Sequence, residues 1–292
     1  ARLERSVSCP HSKAAGSPRY TPAMSVPGCR VISLFLLALL AVPGCGLVED
    51  MGMQYNPNAQ SIFGLLSRPS PAQATAWALD EENADRRYQG TLLLANAPFA
   101  GEDVYIELFV DNLDDEDAAV RSAAARALAH HGRPEHVPLL IGALSDETEL
   151  VRFEAARALQ RIHSPVAVRP LIDKLDEEAE ESTEVRAACA HALGQYAEPR
   201  VLAALAASLR DQSLAVNISA EEALMYLTGQ NFGLDQRAWI EYIDGTGDPF
   251  EGQLAYEYPH FERDRRWIEY VPLVPQAPNE PAAQPVGMPR QE

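Results

Sequence analysis

The residues of this chain whose types could do chemistry are seven histidines, a cysteine behind an apolar run, and a carboxylate–arginine spacing that recurs. His130, His131 and His136 are close in sequence, but they span a helix end and the following loop. His163 and His191 stand at other repeat positions. A zinc protease needs H-E-x-x-H, which sets two imidazoles on one helical face. A nucleophile elbow needs G-x-S-x-G, and a phosphate cradle needs a Gly-rich loop ahead of a helix. The sequence holds none of them. The acidic runs at 114–117 and 176–181 lack the glycine on which a calcium loop turns, so they read as solvated loops. The expectation is no catalytic residue, no metal site and no cofactor.

Cys45 has a different context. Arg30 precedes a 12-residue apolar run, Val31 to Val42, which is too short for a membrane span and suits the core of an export signal. Val42-Pro43-Gly44-Cys45 follows and resembles a lipoprotein signal-peptidase box: a branched residue, a small residue, then cysteine. Pro43 departs from the usual Ala or Ser. The resemblance implies lipidation at Cys45, and one site with two or three acyl chains suffices for stable attachment. The first Met is Met24, so residues 1–23 are expected to be upstream sequence, 24–44 the signal peptide and 45–69 a tether. Of Cys9, Cys29, Cys45 and Cys189, only Cys189 would then remain as a thiol. It should be buried and unbridged.

The chain carries a formal net charge of −18. Residues 1–44 hold five bases (Arg2, Arg5, Lys13, Arg19, Arg30) and one acid (Glu4), so the remainder stands at −22. Such a surface repels phosphate backbones, which excludes nucleic acid as a partner. It also disfavours adhesion to anionic lipid, which makes a covalent anchor more necessary.

The elements that must position these residues repeat. "VRSAAARALAHHG" starts at Val120, "VRFEAARALQRIH" at Val151, "VRAACAHALGQYA" at Val185 and a degraded "VNISAEEALMYLT" at Val216, at spacings of 31, 34 and 31 residues. A period in this range predicts a solenoid of stacked units. The first helix of each unit carries Val, Ala or Cys, Ala and Leu at helical spacing: small residues that let helices approach, with Leu128, Leu159 and Leu193 as anchors. A second helix follows a proline, as at Pro138, Pro170 and Pro199. Asp115, Asp146 and Asp211 each stand five residues before a Val position, where a carboxylate can cap a helix. Arg121, Arg152 and Arg186 follow the Val and oppose the helix dipole there. A ladder of Arg–Asp pairs between successive units accounts for both. An earlier, blurred unit contains Asp80, Asp85-Arg86 and "GTLLLAN" from Gly90, its register open by one residue; a lone helix from Pro71 to Leu79 precedes it as a cap.

This D-x4-VR-xx-AA-x-AL pattern resembles HEAT-like repeats, in the short form of phycobilisome-lyase-type proteins, and the whole chain resembles HEAT-repeat lipoproteins of planctomycete-like bacteria. The resemblance covers roughly residues 70–245. It implies an all-α, right-handed α-solenoid of helix pairs, flanked by a disordered N-terminal precursor region and a disordered Pro-rich tail at 272–292. "LTGQNFGLDQRAWIEYI", from Leu227, should form a closing cap with Trp239, Ile240 and Ile243, and an aromatic extension, 246–271, should lie back over the last helices. A di-iron hydroxylase shares the fold class and presents His-Glu dipeptides; this chain has none.

Two functions follow from the resemblance. One is a lipid-anchored scaffold, exported to a cell-envelope membrane, that binds a protein partner with a basic patch. The other is a bilin-lyase-like cofactor-attachment or chaperone protein, which an export signal disfavours. HEAT-like arrays are taken to line their concave face with second helices, so Glu107, Asp111, Arg169, Asp173 and Lys174 are the candidate contacts. The sequence fixes neither the partner nor the oligomeric state.

Overall fold

Alanines repeated at helical spacing leave little side chain between neighbouring helices, and the fold follows from that. In a computed structural model of the protein, residues 69–258, 264, 266, 270 and 282–289 are described. They contain eleven α-helices and no strand. A lone helix α1 (Pro71–Ala78) is followed by the pairs α2 (Ala84–Ala95) and α3 (Asp103–Asp111), α4 (Ala118–His131) and α5 (Val137–Ala143), α6 (Glu149–Arg161) and α7 (Val168–Asp173), α8 (Thr183–Leu193) and α9 (Pro199–Ser208), and α10 (Leu214–Thr228) and α11 (Gln236–Gly245). Cys45, the signal peptide and the tether lie outside the described residues, as do Phe261 and Trp267. No helix among the described residues is long and apolar enough to cross a membrane.

Caps start the helices where the sequence has capping residues. Asp117 accepts from the amides of Ala119 and Val120, and Ser182 from that of Val185. Pro134 and Pro165 open short 3-10 turns that lead into α5 and α7. Gly229, at φ +66°, ends α10 in the left-handed region that glycine enters at least cost.

The first helices form one row, in which α2, α4, α6, α8 and α10 each pack on the next. Leu128, Leu159, Leu193 and Leu224 are fully buried there. Among the second helices, α9 and α11 touch, α7 and α9 touch less, and the contact is weaker throughout than in the first row. The first helices form the closely packed row, and the second helices, with fewer buried residues, form the outer, more exposed row.

The C-terminal chain straps the stack. Leu254 donates its amide to the Tyr226 carbonyl at 2.8 Å. Tyr256 is fully buried beside Gly194, and its hydroxyl donates to the His191 carbonyl at 2.8 Å. Tyr258 lies over the Arg161 guanidinium and donates its amide to Ala283. Val286 then donates to Arg161 O and accepts from His163 N, both at 2.8 Å. Disorder throughout 272–292 therefore does not hold at 282–289. Free carbonyls at helix C-termini need donors, and this segment supplies them.

Candidate interaction surface

Each arginine of the first-helix row does two things. Through Nη1 it donates to two carbonyls of the loop before its own helix: Asp115 and Glu116 for Arg121, Asp146 and Glu147 for Arg152, Glu180 and Glu181 for Arg186. Through Nε and Nη2 it holds a carboxylate of the next unit in a bidentate pair. The Nε distances are 2.7 Å for Arg121–Asp146, 2.7 Å for Arg152–Glu180 and 2.8 Å for Arg186–Asp211. Bidentate guanidinium–carboxylate geometry is among the stronger charged contacts. The acids also close their own loops: Asp115, Asp146 and Asp211 accept from the amides of Asp117, Thr148 and Ser213, and Glu180 from that of Ser182.

Two members of the ladder lie outside the Asp–Val spacing. Arg152 pairs with Glu180, not with an aspartate, and Glu180 also takes Lys174 Nζ at 3.2 Å. Asp115 is held by Arg87 at 2.7 Å. Arg87 is thus the arginine of the first unit, and the blurred register resolves one residue later than Asp85-Arg86. Arg86 instead pairs with Asp80, which no preceding unit reaches.

Burial by itself would push Asp115, Asp146 and Glu180 up. The hydrogen bonds from Arg87, Arg121 and Arg152, together with those from the loop amides and the attraction of the arginine charges, outweigh it and hold all three below the ordinary carboxylate range. The ladder ends at Asn217, which stands in the arginine position of the fourth copy; its Oδ1 is buried without a hydrogen-bond partner.

The candidate contacts divide. Lys174 is drawn into the ladder, and Arg169 and Asp173 pair along α7 at 2.8 Å. Glu107 and Asp111 are exposed on α3. Asp111 lines an opening of about 580 Å³ between α3 and α5 with Asp114, Val110, Leu139, Gly142 and Ala143; ladder members Asp115, Arg121 and Asp146 form part of its lining.

A second opening, of about 380 Å³, lies between α6 and α8. Phe153, Ala187 and Ala188 give it an apolar lining, and Arg157, Arg161 and His191 line it as well. Burial lowers His191 to about 4, although Glu222 stands 3.3 Å from Nε2. The imidazole is therefore neutral at neutral pH. Cys189 is free and buried, its thiol pushed up to about 12 by burial. It is a packing residue and not a nucleophile.

Residues 106–182 match the family of HEAT repeats. That segment carries HEAT-like repeats. No curated protein matches its sequence. Among solved structures, the complex of CpcE and CpcF of phycocyanin lyase from Nostoc sp. is similar at 23% identity and a TM-score of 0.50, over 61% of this chain and 70% of that one. The Escherichia coli protein YIBA is similar at 18% identity and 0.47, over 77% and 82%. A designed armadillo repeat protein in complex with the peptide (KR)4 gives 19% and 0.44, over 60% and 87%. The repeat protein shares with the first of these its fold, a stack of helix pairs.

Proposed function

We propose that this repeat protein is a lipid-anchored scaffold at a bacterial envelope membrane, holding a protein partner that carries basic groups. One observation carries the reading. The ladder acids Asp115, Asp146, Glu180 and Asp211 are all paired inside the stack, whereas Glu107, Asp111 and Asp114 stand exposed on the outer row. The acidic excess is thus presented to solvent at fixed positions. The anchor is read from Cys45 and the apolar run before it. Lipid at Cys45 would hold the stack at a surface that its own charge avoids.

A pull-down from solubilised membranes tests the partner. Reversing Glu107 and Asp111 to Lys should remove partners that the wild type retains, and the wild-type capture should weaken between low and high salt. An unchanged, salt-indifferent set of partners would dismiss the outer row.

A lyase-like reading draws on the fold shared with phycocyanin lyase and on the apolar opening between α6 and α8. Absorbance of the purified protein after addition of bilin or haem tests it; an unshifted spectrum removes it.

A further inference from the structure

The alanine stripe that draws the first helices together leaves the outer row spread, and the space opened between α3 and α5 has a definite chemistry. Its walls are mixed: Val110 from α3 and Leu139 and Ala143 from α5 give an apolar part, and Asp111, Asp114 and the ladder members Asp115, Arg121 and Asp146 a charged one. Gly142 belongs to the lining, and a Cβ built there meets nothing within 4 Å, so this glycine leaves the space empty. The ladder behind is charge-balanced, because Arg87 neutralises Asp115 and Arg121 neutralises Asp146. Asp111 and Asp114 form no ion pair among the described residues, and both are exposed. Glu107 is one helical turn from Asp111 on the same face and is exposed too.

A long aliphatic stem ending in a positive charge fits this combination. The stem covers Leu139 and Ala143 while the head reaches the carboxylates, as amphipathic cationic side chains do. Neither a purely apolar group nor a bare inorganic cation uses both parts. The neighbouring outer position lacks the combination: Asp173 on α7 is already paired with Arg169.

We infer that the opening between α3 and α5 is a socket for one lysine or arginine side chain of the partner protein, seated on Leu139 and Ala143 with its charge between Asp111 and Asp114. The inference rests on the scaffold reading and names the part of the partner that this surface takes.

The test uses the detergent-solubilised full chain and a fluorescein-labelled heptapeptide of lysines alternating with serines, read by fluorescence anisotropy. The wild type should bind it, more weakly at about 300 mM than at about 50 mM salt. Gly142→Leu fills the space without changing any charge and should lose about tenfold or more in affinity, with its thermal midpoint and far-ultraviolet spectrum retained. Asp111→Asn with Asp114→Asn should weaken binding and flatten the salt dependence. Asp176→Asn with Asp244→Asn removes the same charge elsewhere and should leave binding unchanged.

Absence of binding by the wild type overturns the socket. So does a folded Gly142→Leu protein that binds as the wild type does, or equal loss in the two Asn pairs, because each means diffuse attraction to an acidic surface. If Gly142→Leu fails to fold, the contrast between the two Asn pairs decides. The membrane pull-down separates this failure from that of the scaffold. Partners retained while the peptide ignores the socket variants leave the scaffold standing and the socket wrong. No specific partner at any salt concentration removes the scaffold itself.

Discussion

Arg186 and Asp211 are the most enclosed rung of the ladder, with side chains 5% and 3% exposed. Removing one member of a buried pair strands the other charge in a poor dielectric, so Arg186→Ala should cost about 3–5 kcal/mol in chemical denaturation. Replacing both by apolar residues of similar volume should recover most of that loss. The exposed pair Arg169–Asp173 offers the contrast, and Asp173→Ala should stay within about 1 kcal/mol. His191 supplies a pH dependence of known sign. Its folded pKa, about 4, lies below the 6.5 of a free imidazole. The unfolded chain therefore takes up the proton first as pH falls, and stability is lost between 6.5 and 4, by up to about 3 kcal/mol. Burial lowers His163 as well, despite its hydrogen bond to Gln195, which adds to the loss in the same direction. Unfolding titrations of His191→Gln should show a flatter profile through that window. A slope as steep as in the wild type would mean that the imidazole is not buried neutral. Asp115, Asp146 and Glu180 act at lower pH. Their folded values are depressed, so their contribution is present at neutral pH and disappears only as they protonate.

At the scale of the element, the helix pairs were legible because their physics is local. Val120, Ala124, Ala127 and Leu128 repeat with one period, and each copy buries the same face. Glu180 was hidden because it lies in the stretch that lengthens one spacing to 34 residues, and because the pattern was sought in aspartates. A search for any carboxylate six residues before the arginine would have found it. Tyr256 could not be found this way. Its burial depends on Gly194, more than sixty residues earlier, where a side chain would press on the tyrosine ring. Two substitutions test these packing assignments. Leu159→Ala should cost about 2–5 kcal/mol, with loss of amide protection concentrated in α4, α6 and α8. Tyr256→Ala should cost about 3–5 kcal/mol and open residues 250–258 to proteolysis. A cost below about 1 kcal/mol at Leu159 would contradict the register of the repeat.

A stack whose units touch only their neighbours should lose cooperativity when one interface is weakened. The whole molecule has a second connection. The C-terminal strap donates hydrogen bonds to α10, α8 and the end of α6 through Leu254, Tyr256 and Val286, and Gly287 rests on Pro134 ahead of α5. It thus spans several units that the ladder joins one by one. The two connections should back each other up. Arg152→Ala cuts the rung between α6 and α8, leaving Glu180, 1% exposed, with Lys174 alone. With the strap in place, this variant should be destabilised and still unfold in one calorimetric transition. Tyr256→Ala alone should behave likewise, because the rungs remain. The double variant loses both connections across the same interface. It should unfold in two transitions, with hydrogen exchange in α2–α6 separating from that in α8–α11. A single transition in the double variant would mean that the remaining contacts between α6 and α8, the buried alanines and leucines with the hydrogen bonds of Gln160 and Gln195, suffice to couple the two halves. Two transitions in Arg152→Ala alone would mean that the strap carries no load.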